Sequence, residues 1–408
     1  MIATAPDRVT PKSLDALRET LARCDREGLK VLVEGGKTLS GMGSAMPRAD
    51  LTIVTTGLNA IISHEFEDLT CSAQSGVRVA QLNSALAHHG QFIPIDVPLR
   101  KKATIGGSLA AGWPGPRRHI YGRARDYVIG SQIALADGTL AKAGGMVVKN
   151  VSGYDMSKLY IGSFGTLGIF TQLNFKTLPV PKKRRALIAP LPEATRGRAI
   201  ERIISLVVPP AAAFCIEGFG KNVDGTDDID GRVLLYFEGT DELLERATLD
   251  TRSALGKAGV PETTIVDTGA AESFDRTLDA CIANKRGRSI TYRVLGLPGE
   301  AEGRAVRVRD LCNRHELFTD VLFDVMNGDV FVRASERDGA RFAAKIDACH
   351  AGVRDAEPRA AIVAGDAAAR AAFEPWGALP PAIERMRAMK ARFDPHGTLN
   401  PGRFIGGI

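Results

Sequence analysis

The 408-residue sequence predicts an α+β fold in two parts, with three observations behind the prediction. From Gly106 to Gly168 glycine recurs every few residues across sequence that otherwise alternates like strand, against an average of about one residue in fourteen. From residue 186 to residue 363 two sets of elements follow a β-α-β-β-α-β rhythm, which suggests a ferredoxin-like layer on an antiparallel sheet. Between these regions Pro179 and Pro181 precede the basic run Lys182, Lys183, Arg184 and Arg185, read as a solvated boundary or as a surface for an acidic partner. The expected domains are residues 1–180 and 181–380, followed by a helix and tail over 381–408.

In order along the chain, Thr10-Pro11 reads as an N-cap with proline in the first turn of a helix carrying Leu14, Leu17 and Leu21 and ending at Gly28. A short strand over 31–33 runs into Gly35, Gly36, Lys37, Thr38, Leu39 and Ser40. Gly36-Lys37-Thr38 invites a Walker A reading, but that loop needs glycine where Val31 stands, so it is rejected. Strands follow within residues 51–76, then a helix over 79–88 and an extended segment over 92–98. Thr104, Ile105, Gly106 and Gly107 offer a hydroxyl and consecutive amides, the makings of an anion-binding nest. Arg117, Arg118, Arg123 and Arg125 add positive charge nearby.

Residues 126–136 and 139–143 form a hairpin through Asp137-Gly138. A helix over 154–161, a tight turn over 162–168 and a strand over 169–178 complete the first part. In the second, strands are expected at 186–189, 213–219, 233–238, 290–294 and 360–363, with a hairpin over 321–334 turned by Asn327-Gly328. Helices are expected at 193–207, 241–257, 300–314 and 338–350, and residues 223–231 and 268–272 read as loops. A final helix over 381–392 buries Ile383, Met386 and Met389 in the core.

Composition bounds the function. Hydrophobic content of 44% is ordinary for a globular chain, and the formal charge of +6 is a small excess over 100 charged side chains. No aromatic-rich basic motif accompanies it, so no nucleic-acid partner is expected. Six scattered cysteines, without CxxC spacing, read as reduced thiols and leave no ligand set for an iron–sulfur cluster or other metal. No secretory leader or apolar span is evident, so a cytoplasmic protein is expected.

The order GGSLA, PRRHIYGRARDYVIG, ADG and KNVSGYDMSKLYIGSFGTLGI resembles the FAD-binding domain of the p-cresol methylhydroxylase and vanillyl-alcohol oxidase (PCMH/VAO) superfamily. The paired arginine, the KNVSGYD box and the final glycine box resemble most the FAD-binding E subunit of glycolate oxidase. The resemblance implies a small α/β subdomain and a larger mixed-sheet subdomain binding FAD, a ferredoxin-like cap, and a tail that returns to the flavin domain. It implies cofactor contacts at Gly35, Gly36, Lys37, Thr38, Leu39 and Ser40; at Gly76 and Pro94; at Thr104, Ile105, Gly106, Gly107, Ser108, Ala110 and Gly112; and at Arg117, Arg118, Gly122, Asp126 and Tyr154. Gly162, Gly165, Thr166, Gly168, Ile169 and Asn400 complete the set. The first loop has no histidine, so the expected FAD is non-covalent; His119, alone between Arg118 and Ile120, reads as a packed or surface residue.

The resemblance further implies a complex that oxidises glycolate to glyoxylate, with a second FAD-containing subunit (D) and an iron–sulfur subunit (F) passing electrons to a quinone. Docking at the inner membrane face would then occur through the partners. No catalytic residue is assigned. Two alternatives stand beside this reading: a self-contained FAD-dependent 2-hydroxy acid or alcohol oxidoreductase, with Tyr292, Arg293, His315 or Arg333 as cap candidates, and a flavin-bearing assembly scaffold.

Overall fold

The protein is described by a computed structural model covering residues 7–45, 49–147, 154–219, 231–260, 263–283, 288–365 and 373–408. Residues 149–153 of the KNVSGYD box and most of the 223–231 loop lie outside the described residues. The chain divides into two units: Met1–Gly115, Arg123–Val180 and Leu379–Ile408 form the first, and Pro116–Gly122 with Pro181–Ala378 form the second.

The first unit opens with strand β1 (Asp7–Val9), which pairs in parallel with residues 51–53. Because that pairing keeps the chain extended, helix α1 (Leu14–Arg26) begins later than Thr10-Pro11 suggests. Its N-cap is Ser13, whose hydroxyl accepts from the Ala16 amide at 3.2 Å. Leu17, Leu21 and Cys24 of α1 pack on β2 (Val31–Glu34) and β3 (Leu51–Val54), giving a parallel sheet in the order β1-β3-β2. After β4 (Ile61–Glu65), β5 (Thr70–Gln74), α2 (Val79–Ala87) and the short β6 (Gln91–Phe92) come α3 (Ile105–Ala111) and the single turn α4 (Arg118–Tyr121). Strands β7 (Val128–Ala134) and β8 (Leu140–Gly144) form the expected hairpin, whose turn has Gly138 at φ 81° against Arg18 of α1. The next helix, α5 (Ser157–Tyr160), is one turn rather than the two expected over 154–161. Strand β9 (Ile169–Lys176) sits between β5 and β7, completing the sheet β4-β5-β9-β7-β8, and β10 (Leu178–Pro179) pairs with β6.

The second unit is one eight-stranded antiparallel sheet made of two ferredoxin-like halves. The first runs β11 (Lys183–Pro190), α6 (Glu193–Ile204), β12 (Ala212–Glu217), β13 (Arg232–Gly239), α7 (Asp241–Lys257), β14 (Thr264–Val266), and is followed by α8 (Ala270–Ala280). The second runs β15 (Ser289–Leu295), α9 (Ala301–Arg314), β16 (Phe318–Asp324), β17 (Asp329–Ser335), α10 (Gly339–Ala356), β18 (Ala361–Gly365). The order β14-β11-β13-β12-β16-β17-β15-β18 repeats the same arrangement in mirror sequence, with β12 and β16 joining the halves from Phe214↔Asp324 to Glu217↔Val321. Val233, Leu235 and Phe237 of β13 face a core shared with α6, α7, α9 and α10. Tyr236 on the opposite face stacks on Phe274 of α8 at 4.8 Å. Helix α8 begins at Ala270, inside the region read as a loop at 268–272.

Lys183, Arg184 and Arg185 belong to β11 rather than to a solvated linker. Each cation meets an acid, Lys183 with Asp241 at 2.7 Å, Arg184 with Glu238 at 3.4 Å and Arg185 with Asp267 at 2.6 Å, so the strand keeps its ladder through the charged run. The last helix, α11 (Ile383–Phe393), returns to the first unit; Ile383, Met386 and Met389 are half-buried on it and none of its residues is fully buried, contrary to the core packing expected of them.

Candidate functional site

Strand β2 ends at Glu34 and the chain turns with Lys37 in the left-handed region at φ 59°. The amides of Gly35, Gly36, Lys37, Thr38 and Leu39 make no hydrogen bond among the described residues. Consecutive unsatisfied N–H groups around a left-handed residue make an anion-binding concavity. The Lys37 ammonium is turned instead to Glu34 at 2.9 Å, and Arg8 meets the same carboxylate at 2.8 Å. Main-chain dipoles, not the lysine, are what this loop offers a ligand. A Cβ on Gly36 would lie 1.9 Å from the Lys102 carbonyl oxygen, and one on Gly35 2.3 Å from Thr104 Oγ1. The loop therefore lies flush on residues 102–104.

The start of α3 behaves differently from the nest expected there. Ile105 donates to Val77 O at 2.9 Å, Gly106 to Ser75 O at 2.9 Å, Gly107 to Thr104 Oγ1 at 3.2 Å and Ser108 to Thr104 O at 2.9 Å. Thr104 is the N-cap and these amides are spent on the fold, so residues 104–107 supply shape rather than donors. Gly106 is pressed against Ser75, whose buried hydroxyl has no hydrogen-bond partner among the described residues, and Gly76 sits where a Cβ would be 2.2 Å from Thr55 O. Pro94 is buried in the extended segment that Asn83 holds through both bonds to Ile93.

Helix α3 ends at Gly112 in the left-handed region, where a Cβ would stand 2.9 Å from the Gly162 Cα. Gly162 donates to Leu109 O and Phe164 to Ala110 O, both at 2.9 Å, stitching the 162–168 turn along α3. Gly168 packs against Ile133, and Ile169 opens β9 with its side chain in the core. Asn400 closes the set: its Oδ1 accepts from the Val33 amide at 2.8 Å, its Nδ2 donates to Phe164 O at 2.6 Å, and it stands beside Gly165. Asn400 thus joins the strand feeding the 35–40 loop to the 162–168 turn.

What fixes this tail is a set of contacts that the sequence does not announce. Lys390 donates to Thr166 O and Leu399 O at 2.8 Å each and to Asp394 Oδ2 at 2.5 Å, while Asp394 accepts from the Thr398 and Leu399 amides at 2.8 Å. Burial pulls the Lys390 ammonium below its usual range and the Asp394 carboxylate opposes that shift. An i,i+4 lysine–aspartate pair on a terminal helix carries no sequence mark that separates it from a surface pair.

Other expected contacts lie elsewhere. Arg117, Arg118 and Gly122 count with the second unit, and both arginines have carboxylate partners there. Glu238, buried at the end of β13, accepts from Arg117 at 2.9 Å, Tyr121 at 2.8 Å and Tyr236 at 3.1 Å. Arg118 meets Asp329 at 2.8 Å, and burial pushes the neighbouring Asp324 carboxyl up to about 7. The 116–122 segment therefore bolts both ferredoxin-like halves at one end of the sheet, and the two arginines read as cofactor-binding cations face carboxylates of the second unit. Glu238→Gln weakens this anchor, and an unfolding free energy lower by about 2 kcal/mol is expected in urea titration. Asp126 caps a short 3-10 turn by accepting from the Arg123 amide at 2.8 Å, and Tyr154 is 93% exposed.

His119 bonds the Pro210 carbonyl through Nε2 at 2.8 Å. Among the cap candidates, Tyr292 is buried with its hydroxyl 3.2 Å from His350, Arg293 pairs with Asp329 at 3.0 Å, Arg333 pairs with Asp320, and His315 ends α9. Within the second unit, Tyr292, Arg293 and Arg333 are held by protein partners.

Comparison with known proteins agrees with the site's chemistry. Residues 7–144 match the sequence family described as FAD binding domain. The chain is 25% identical to glycolate oxidase subunit GlcD of Bacillus subtilis (strain 168), over 98% of this chain and 89% of that one. It is 32% identical to glycolate oxidase subunit GlcE of Escherichia coli (strain K12), over 42% of this chain and 49% of that one, so this second match spans about half of its relative. The structure of p-cresol methylhydroxylase with substrate bound superposes with a TM-score of 0.71 at 15% identity, covering 97% of this chain and 88% of that one. The fold is the PCMH/VAO type and the cofactor is FAD. The amides at 35–39 and the Ser75 hydroxyl, without hydrogen-bond partners among the described residues, suit a phosphorylated, polar ligand.

Proposed function

We propose, with an FAD-binding domain over residues 7–144 as the premise, that this chain is the FAD-binding subunit of a glycolate-oxidising complex. The observation that carries the cofactor half of this reading is the run of unsatisfied amides from Gly35 to Leu39. These donors receive the FAD diphosphate, and Gly76, Gly106 and Gly112 let the backbone around the loop pack closer than a Cβ would allow. Bound FAD accepts two electrons from a substrate as hydride and can release them singly. The chain's own contribution is to fix that cofactor through its main-chain donors. The substrate half rests on the likeness to the two glycolate oxidase subunits.

A second flavoprotein subunit of the D kind and an iron–sulfur subunit complete the proposed complex, since the six cysteines of this chain are dispersed. A 30% identity to D-lactate dehydrogenase of Anaerostipes hadrus, over 64% of this chain and 58% of that one, favours one competing reading, a self-contained 2-hydroxy acid dehydrogenase. Engagement of Tyr292, Arg293 and Arg333 with neighbours in the second unit weighs against it. Anaerobic flavin bleaching separates the two. Glycolate is expected to bleach the flavin of the chain co-purified with its partner subunits and to leave that of the isolated chain oxidised. Rapid bleaching of the isolated chain by glycolate or D-lactate overturns the subunit reading.

A further inference from the structure

We infer that Arg403 is a positioning residue for the 35–40 loop, and that docking of the C-terminal tail and binding of FAD are one linked equilibrium. The inference rests on the reading that this loop receives the FAD diphosphate. The Arg403 guanidinium donates to three carbonyls in succession, Ser44 at 2.5 Å, Met42 at 3.0 Å and Ser40 at 3.5 Å, and the Ser44 amide donates back to Arg403 O at 3.3 Å. Three residues earlier Asn400 accepts from Val33, two residues before Gly35. The tail thus grips the loop on both sides of its free amides, before it at Val33 and after it at Ser40 to Ser44. Phe404 stacks on Phe164 at 5.7 Å, tying the same tail to the 162–168 turn.

Among the described residues the loop makes no strand ladder beyond Glu34, and its amides from Gly35 to Leu39 are unsatisfied. Such a segment loses conformational entropy when it closes on an anion, and a clasp that orders it beforehand lowers that cost. Arginine suits this task because its planar fork can hold several carbonyls at once while keeping its charge. Reciprocity then requires that whatever the tail contributes to FAD affinity, FAD contributes to tail docking.

Amide hydrogen exchange of the wild-type protein with and without FAD, together with FAD titration of Arg403→Met and Arg403→Lys, tests this. FAD is expected to slow exchange over residues 35–44 and over 394–404. Arg403→Met is expected to weaken FAD binding about tenfold, the equivalent of one charge-assisted hydrogen bond, with Arg403→Lys recovering part of it. Absence of protection at 35–40 overturns the assigned cofactor loop. Protection there without added protection of the tail, or an Arg403→Met protein that binds FAD as tightly as the wild type, overturns the clasp alone. Should Arg403→Met fail to fold, the wild-type exchange pattern still decides.

Discussion

Gly36→Ala is expected to yield a folded but colourless protein. The added Cβ would stand 1.9 Å from the Lys102 carbonyl oxygen and 2.7 Å from its carbon, both main-chain atoms that cannot rotate aside. The loop must lift, and its amides then no longer converge on one anion. Losing two hydrogen bonds to a charged phosphate, at about 1.5–3 kcal/mol each, weakens binding by more than about a hundredfold. The readout is flavin absorbance at constant protein concentration during reconstitution. Gly303→Ala serves as the control: a Cβ there meets nothing within 4 Å, and the position lies in α9 of the second unit. Full flavin occupancy of Gly36→Ala would show that the diphosphate does not depend on this loop.

Asp394→Ala is expected to give the largest loss of stability, about 3–5 kcal/mol, because it strands the Lys390 ammonium in a buried position. It also frees the Thr398 and Leu399 amides that the carboxylate accepts from, and so releases the turn leading to Asn400. Double substitution to Lys390→Met with Asp394→Ala should be less damaging than Asp394→Ala alone, since it removes the orphaned charge as well. Urea unfolding of the three variants measures this. Equal losses for the single and double variants would mean that the charge plays no part.

Much of the fold was legible because local signals agreed with tertiary demand. Helix α7 occupies the expected 241–257, with Thr240 capping it through the Leu243 amide and Leu244, Ala247 and Leu255 on its buried side. The hairpin of β16 and β17 turns at Asn327-Gly328, where Gly328 adopts φ 79°. Helix α8 escaped notice because its buried face includes Ser273 and Thr277 beside Phe274 and Leu278, which dilutes the apolar stripe.

The site was legible as a set of glycine loops and less so in the role of each part. A threonine followed by small residues reads as a nest whether its amides are free or, as at Thr104, already bonded to Ser75 and Val77. Two adjacent arginines beside such loops read as phosphate ligands, yet sequence does not reveal which anion they meet. Arg117 and Arg118 meet Glu238 and Asp329, residues more than a hundred positions away. Lys390, Asp394 and Arg403 were missed for a related reason: their partners are mainly main-chain carbonyls and amides, to which any sequence can contribute.

A crystal structure of the protein with FAD bound bears most directly on the central claim. Diphosphate oxygens are expected about 2.7–3.2 Å from amides within Gly35 to Leu39, with Lys37 still turned to Glu34. A diphosphate held elsewhere, with those amides left to water, would contradict it.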